Sequence, residues 1–286
     1  MTILDRPVAR LARITTFDGP ADRLSQASAR VTHRPPVSTV LAGTWLGHPL
    51  HPAVTDVPIG CWTAAALVDV AGGAGARRTA RFLVGAGVLA AVPTAVTGLA
   101  DWADTGDERR RIGTVHGLVN LGATTCFALS WWARRRRHDG VGRALSLVGT
   151  AAVTVGASLG GHLVYRSGTG VDVNAFVPGP EDWTTPVAVD AVAQAPDAVL
   201  LDAGATRVLA SRPPAGEWRG IGSRCSHRDG PLEDGWFDDD CVTCPWHHSR
   251  FRLADGSIVD GPATAPQPAY DVREHDGTFA LRATRV

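Results

Sequence analysis

The sequence predicts a multidomain chain: a four-helix transmembrane bundle followed by a small all-β domain. Long apolar segments fill the first half, and short alternating apolar runs separated by turn residues fill the second. Polar stretches lie before and after the apolar half. The 286 residues therefore divide into a polar N-terminal arm (1–47), a membrane domain (48–166), a linker (167–182) and a β domain (183–286).

The arm is rich in arginine and contains Pro35-Pro36. It lacks the apolar run and small-residue cleavage site of an export signal, so we expect a mobile leader or an arm lying along a surface. The formal net charge of the whole chain is zero. That balance gives no reason to expect a nucleic-acid partner.

The apolar half contains four segments, near 52–74, 82–100, 112–132 and 144–165. A helix of about 20 residues crosses the hydrocarbon core of a bilayer. A soluble bundle would need a polar face on each helix, but the run from Phe82 to Pro93 has no polar side chain. The sequence therefore predicts a multi-pass protein of the cell membrane, with the lipid bilayer as its surroundings.

Four histidines lie near the ends of these segments. His48 and His51 precede or open the first helix, His116 lies near the start of the third, and His162 lies near the end of the fourth. An even number of spans places them all toward the side of the β domain. Ionisable groups inside a membrane are costly, so His51, His116 and His162 are predicted cofactor-binding residues. They could ligate haem, hold a metal or hydrogen-bond a quinone, or they could be ordinary interfacial histidines.

The segment from Gly47 to Gly60, which begins Gly-His-Pro-Leu-His-Pro, resembles the opening of a family of uncharacterised four-helix bacterial membrane domains. That resemblance implies the topology and no established chemistry. Tryptophans near the segment ends are typical of an interfacial belt, and Trp62 is taken as one of them.

The second half has short runs that are typical of an antiparallel β domain. They occur at 187–189, 198–201, 207–210 and 279–282, with Asp-Gly and Gly-Pro turns in the same region.

Within this β domain, Cys225-Ser226-His227 is followed after sixteen residues by Cys244-Pro245-Trp246-His247. Two thiolates and two imidazoles can hold a [2Fe-2S] cluster with sulfur at one iron and nitrogen at the other. The alternative is structural zinc, but zinc sites usually separate a cysteine pair from a histidine pair, whereas each loop here mixes the two. The predicted metal ligands are Cys225, His227, Cys244 and His247.

The flanking residues, over 221–232 and 244–251, resemble the two cluster-binding loops of Rieske proteins, and the ferredoxin-type domains that feed oxygenases are the nearer relatives. Gly261-Pro262-Ala263 looks like the loop that shields the cluster in that family. The resemblance implies one Rieske-type [2Fe-2S] cluster. It also implies that His247 is a ligand while His248 faces outward, and that Cys241 is outside the family's disulfide pair.

This chain departs from respiratory Rieske proteins at three of four positions in the cluster loops, Gly230, Trp246 and Phe251, and keeps the fourth, Ser249. Gly230 and Trp246 stand where those proteins carry a disulfide, and Ser249 and Phe251 stand where they carry a serine and a tyrosine. Hydrogen bonds to cluster sulfurs favour the reduced state, so the missing tyrosine hydroxyl predicts a lower reduction potential.

The predicted function is one-electron transfer between a membrane redox carrier, quinone or haem, and a partner protein, as in a subunit of an oxidoreductase. One alternative is a membrane-anchored ferredoxin for a soluble oxygenase or reductase, and another is a cluster-based redox sensor. A terminal oxygenase is excluded because too few residues follow His247 for a mononuclear iron domain.

The orientation evidence is divided. More arginines lie in the loops opposite the Rieske domain, which favours an outward-facing cluster. Clusters are built in the cytoplasm, however, and neither a twin-arginine export signal nor the export-associated disulfide is found. We predict a cytoplasmic Rieske domain.

Overall fold

The computed structural model describes residues 5–73, 75–177, 179–186, 188–212, 216–238 and 240–284. The chain forms two compact units. The bundle unit comprises the residues up to Arg30 together with Leu50–Thr169, and the β unit comprises Val31–Pro49 together with the residues from Gly170 onward.

Four long helices form the bundle unit: α4 (Leu50–Ala71), α5 (Ala76–Ala103), α6 (Asp107–Arg135) and α7 (Asp139–Tyr165). All four are long and apolar enough to cross a membrane. The predicted four-helix membrane domain is thus confirmed. α5 and α6 run past both ends of their predicted apolar segments, because their polar ends continue the helical hydrogen bonding. α4 instead ends at Ala71, before the predicted end at residue 74.

Two helices of the arm pack on the bundle: α1 (Asp5–Leu11) and α2 (Asp18–Thr32). Val8 of α1 is buried against Ile112 of α6. The Arg111 guanidinium donates two hydrogen bonds to the Asp18 carboxylate, at 2.9 and 2.7 Å. This part of the predicted arm is therefore ordered against α6.

Trp62 lies inside the bundle and was wrongly predicted as an interfacial residue. It is 6% exposed. Its ring stacks on Phe127 with centroids 4.1 Å apart and planes 7° from parallel. Gly87 makes the room, because a Cβ there would lie 2.4 Å from the indole nitrogen.

A buried ion pair joins two other positions of the bundle. Arg134 donates to both carboxylate oxygens of Asp69, at 2.9 and 2.6 Å, and its side chain is fully buried. Ser130 and Ser146 hydrogen-bond each other at 2.9 Å beside this pair. Arg134 is one of the arginines that the sequence-based orientation prediction places in the loops opposite the Rieske domain, whereas the structure gives it a partner 65 residues away.

The β unit contains two antiparallel sheets, which confirms the all-β prediction. A six-stranded sheet has the order β1-β2-β3-β4-β9-β10, and a four-stranded sheet has the order β5-β6-β7-β8. The strands are β1 Ala188–Ala191, β2 Ala198–Ala203, β3 Thr206–Ser211, β4 Arg219–Gly222, β5 Trp236–Asp238, β6 Cys241–Thr243, β7 Arg250–Arg252, β8 Ile258–Asp260, β9 Ala269–His275 and β10 Thr278–Ala283. Val187, predicted to begin the first strand, lies outside the described residues.

Residues 31–49, which the sequence analysis assigned to the N-terminal arm, belong to the β unit. They form helix α3 (Val37–Ala42) and a 3-10 turn at Thr44–Leu46. Gly43 and Gly47, with φ of 86° and 80°, end these two elements in the left-handed region that glycine favours. From Gly170 the predicted linker also joins this unit, and the Asn174 amide donates to Arg224 O at 2.9 Å.

Candidate metal centre

The first loop of the centre follows β4 and closes on itself. Cys225 N donates to Gly230 O at 2.8 Å, and Asp229 N donates to Cys225 O at 2.8 Å. Asp229 adopts φ of 66°. The Arg224 guanidinium holds the Asp229 carboxylate with two hydrogen bonds of 2.8 Å, which stabilises this turn.

The second loop lies between β6 and β7 and repeats the same pattern. Cys244 N donates to Ser249 O at 2.8 Å, and His248 N donates to Cys244 O at 3.1 Å. His248 adopts φ of 65°, as Asp229 does in the first loop. The two loops thus present one cysteine each from equivalent backbone turns.

The two thiols are adjacent and buried. A hydrogen bond from the Cys225 thiol, together with backbone N–H donors of Trp246 and His247, lowers the pKa of the Cys244 thiol to about 7. That same bond, with burial, raises the pKa of the Cys225 thiol. Metal ligation requires thiolate, so the site favours ionisation of Cys244 before any metal adds its own charge.

The two predicted histidine ligands are also adjacent. The rings of His227 and His247 have centroids 5.1 Å apart and lie nearly perpendicular. Both are half-buried, whereas His248 is exposed. Cys241 lies in β6, where its thiol donates to Asp240 at 3.4 Å.

The four predicted ligands therefore form a thiol pair and an imidazole pair, a donor set that fits a cluster with unequal iron sites. Glycine at position 230 leaves room for the Cys244 thiol, because a Cβ there would lie 2.6 Å from Cys244 Sγ and 3.3 Å from the Trp246 ring. Gly230 and Trp246 are the positions of the respiratory disulfide. Here the indole lies beside a glycine instead.

The loop at Gly261-Pro262-Ala263 is buried and tied to the second ligand loop. Ala263 N donates to Ser249 Oγ at 2.9 Å. Ser249 is completely buried, as is the neighbouring Phe251. This loop thus lies where the resemblance places a shielding loop.

In the bundle unit, the structure brings two of the three predicted membrane histidines together. The rings of His51 and His116 have centroids 6.4 Å apart. His51 Nδ1 lies 3.0 Å from Thr94 O, and His116 Nδ1 lies 2.9 Å from Gly156 O. Carbonyl oxygens only accept, so each Nδ1 carries the proton and each Nε2 carries a lone pair.

Asn120 was not singled out by sequence reasoning, yet its amide nitrogen lies 3.2 Å from His116 Nε2. The i, i+4 spacing on α6 is the signal that could have found it.

His162 lies in the last turn of α7, and no ring contact joins it to His51 or His116 in the part of the chain that the structure describes. Among the described residues, no three His, Cys, Asp or Glu side chains converge on a single ion.

The fold and the paired donors define an iron–sulfur electron-transfer domain joined to a membrane-spanning bundle. Two family models match the chain in this order. "Predicted membrane protein (DUF2231)" matches residues 47–173, and "Rieske [2Fe-2S] domain" matches residues 183–271.

Two similar proteins are ferredoxins of dioxygenases. The 3-phenylpropionate/cinnamic acid dioxygenase ferredoxin subunit of Escherichia coli (strain K12) is 34% identical over 91 residues, which are 32% of this chain and 86% of that protein. A solved ferredoxin of carbazole 1,9a-dioxygenase from Nocardioides aromaticivorans IC177 is 30% identical and has a TM-score of 0.29. That match covers 36% of this chain and 100% of the ferredoxin.

The chain belongs to the Rieske [2Fe-2S] family. It carries a [2Fe-2S] cluster, transfers electrons and is a membrane protein.

Proposed function

We propose that this chain passes single electrons between a quinone in the membrane and a partner protein, with the cluster held by Cys225, His227, Cys244 and His247. The observation that carries the proposal is the pairing of thiol with thiol and imidazole with imidazole on two equivalent loops. When bound, the cluster supplies a one-electron redox couple.

The protein's part is to hold that couple and tune it. Backbone N–H groups of His227 and Arg228 point at Cys225 Sγ, and those of Trp246 and His247 point at Cys244 Sγ. Such donors stabilise negative charge on the ligand sulfurs and so favour the reduced state. The half-buried imidazoles leave a short path to a docked partner.

For the membrane carrier, the hydrogen bonding of the histidines favours quinone over haem. Axial ligation of haem would need both Nε2 atoms to be accessible, and the Asn120 amide nitrogen, which donates to His116 O at 3.0 Å, lies only 3.2 Å from His116 Nε2. His51 Nε2 keeps a lone pair, because the proton of the neutral ring is on Nδ1, which donates a hydrogen bond to Thr94 O. A quinol hydroxyl is the kind of donor that such a nitrogen accepts.

Oxidation of a quinol to quinone releases two electrons and two protons. It would therefore require two successive one-electron transfers to the cluster, with the partner protein reoxidising the cluster between them, and a base for the protons. We assign that role to His51, with its imidazole oriented by Thr94. Gly98 supports this placement, because a Cβ there would lie 2.7 Å from the imidazole carbon Cε1. His162, in the last turn of α7, is a second candidate for a residue that binds the quinone.

A second candidate function is a membrane-anchored ferredoxin for a soluble oxygenase, because the relatives named above are ferredoxin subunits of dioxygenases. The two functions differ in their electron donor. An anchored ferredoxin would receive electrons from a soluble reductase and would leave quinol unoxidised.

The ligand assignment is tested by electron paramagnetic resonance of the dithionite-reduced protein in detergent. Cys244→Ser and His247→Ala should abolish the Rieske signal. Their matched controls, Cys241→Ser and His248→Ala, lie three residues and one residue away and should keep it. A full signal in Cys244→Ser, or zinc without acid-labile sulfide in the wild type, would refute the cluster assignment.

The quinone assignment is tested by the rate at which a short-chain quinol reduces the cluster. His51→Ala should slow this rate by about 10²-fold or more, as expected for removal of a general base. His138→Ala, an exposed histidine between α6 and α7, is the control and should leave the rate unchanged. Equal rates in His51→Ala and wild type would favour the anchored ferredoxin.

We also propose that the β unit faces the cytoplasm, because Gly230 and Trp246 replace the disulfide expected of an exported Rieske domain. Alkaline phosphatase fused after the last residue should therefore be inactive in cells. An active fusion would place the cluster on the outer side.

A further inference from the structure

We propose that residues 31–49, here called the cap segment, form a third loop of the cluster site that covers His247 and holds the shielding loop closed. The inference rests on the ligand assignment proposed above. It concerns a stretch that precedes the first membrane helix, and its residues 31–46 lie outside both family matches. The cap segment nevertheless folds within the β unit.

The first observation is a pair of hydrogen bonds between the cap segment and the shielding loop. Gly261 N donates to Thr39 Oγ1 at 3.1 Å, and Thr44 Oγ1 donates to Ala263 O at 2.8 Å. One hydroxyl comes from α3 and the other from the 3-10 turn that follows Gly43. Both ends of the three-residue loop are therefore held by the same segment.

The approach of the two segments is close enough to require glycine. A Cβ on Gly261 would lie 2.1 Å from Thr44 Oγ1 and 3.1 Å from Thr39 Cα. On its other side the shielding loop is bound to Ser249 of the second ligand loop, through Ala263 N. A continuous set of contacts thus runs from the cap segment to the loop that carries Cys244 and His247.

The second observation is a third imidazole over the predicted ligand. The ring of His33 lies 5.6 Å from that of His247 and 5.8 Å from that of His248, edge to face in both cases. His33 is half-buried. It therefore takes up part of the surface through which solvent or a small reagent would reach His247.

These contacts give the cap segment a specific role. A shell that excludes water from a metal site lowers the local dielectric and limits access. Because reduction adds negative charge, which water stabilises, an uncovered cluster should have a higher potential and react faster with hydrophilic reagents. His33 acts here as a positioning and shielding residue, and it is not assigned as a ligand.

The test measures two quantities on the full chain in detergent: the rate of cluster oxidation by ferricyanide and the midpoint potential. The double variant His33→Ala/Thr44→Val should raise the rate by roughly tenfold, the factor that corresponds to about 1.4 kcal/mol. It should also shift the potential upward. His33→Phe keeps an aromatic ring over His247 and should stay near wild type, as should the matched control Thr185→Val, an exposed threonine of the β unit.

Loss of the cluster signal in His33→Ala, with retention in His33→Phe, would also support a site that includes the cap segment. An unchanged oxidation rate and potential in the double variant, with the cluster signal intact, would overturn the proposal. That outcome would leave the ligand assignment standing, because the ligand assignment is decided by Cys244→Ser against Cys241→Ser.

Discussion

The β unit and the bundle unit both bury polar groups, but they bring them together in different ways. In the β unit, the predicted ligands lie on two short loops, and each loop is closed by hydrogen bonds within six residues, Cys225 to Gly230 and Cys244 to Ser249. In the bundle unit, partners come from different helices, as in His116 with Gly156, 40 residues apart, and Arg134 with Asp69, 65 residues apart. The first arrangement is local in sequence and the second depends on helix packing.

This difference means that the two units should respond differently to substitution. A change in a ligand loop should alter the cluster while the six-stranded sheet stays folded, because that sheet has a second core, around Leu201, Val208 and Tyr270, which contains no ligand residue. A change in a polar pair of the bundle should loosen the helices themselves, because no water is present in a bilayer to satisfy the partner left behind.

The largest effect should come from Arg134→Met. Removing one partner of a buried ion pair typically costs about 3–5 kcal/mol. In this variant the Asp69 carboxylate would keep only the half-exposed Arg143, 3.5 Å away, so we expect the lower end of that range. The free energy of unfolding, from denaturant titration of the detergent-solubilised protein, should fall by that amount. The double variant Asp69→Leu/Arg134→Met should recover most of the loss, since two apolar side chains leave no charge to satisfy.

Arg137→Met is the matched control, since Arg137 is exposed just beyond the end of α6. Its stability should change by less than about 0.5 kcal/mol. A double variant as unstable as Arg134→Met would show that the guanidinium is needed for its contact with Ser130 rather than for the charge of Asp69.

The contrast between local contacts in the ligand loops and long-range contacts between helices also explains which features could be predicted from the sequence. The four spans follow from uninterrupted apolar runs, and the ligand loops follow from Cys-x-His and Cys-x2-His spacing, which are local properties. The Arg134–Asp69 pair and the stacking of Trp62 on Phe127 are produced by helix packing, and no spacing in the sequence indicates them. His33 is a similar case, because it lies 214 positions before His247 and no motif surrounds it.

A smaller effect is expected from Gly230→Ala in the first ligand loop. The added methyl group would lie 2.6 Å from Cys244 Sγ, and such overpacking costs about 1–3 kcal/mol. Iron and acid-labile sulfide per chain should fall, whereas the circular dichroism of the helices should stay unchanged. Gly117→Ala in α6, where a Cβ meets nothing within 4 Å, should keep full iron content. Full occupancy in Gly230→Ala would mean that the loops are looser than the contacts indicate.

The smallest effect should come from Ser249, which respiratory Rieske proteins share, and Phe251, which replaces their tyrosine. Ser249 Oγ already accepts from Ala263 N, so its own proton is available to donate, and Ser249→Ala should lower the midpoint potential. Phe251→Tyr should raise it by adding a donor. A hydrogen bond of about 1 kcal/mol corresponds to roughly 40 mV for one electron.

Redox titration of Ser249→Ala and Phe251→Tyr tests whether contacts near the ligand loops set the midpoint potential. Both side chains are fully buried, and Phe251 belongs to the core that contains Cys225 and Cys244. Phe279→Tyr is the control, since Phe279 lies in the separate core around Leu201 and Tyr270. It should leave the potential unchanged. A potential that moves equally in Phe279→Tyr and Phe251→Tyr would mean that the cluster responds to the stability of the whole β unit. A shift confined to Phe251→Tyr would instead show that the ligand loops tune the cluster locally.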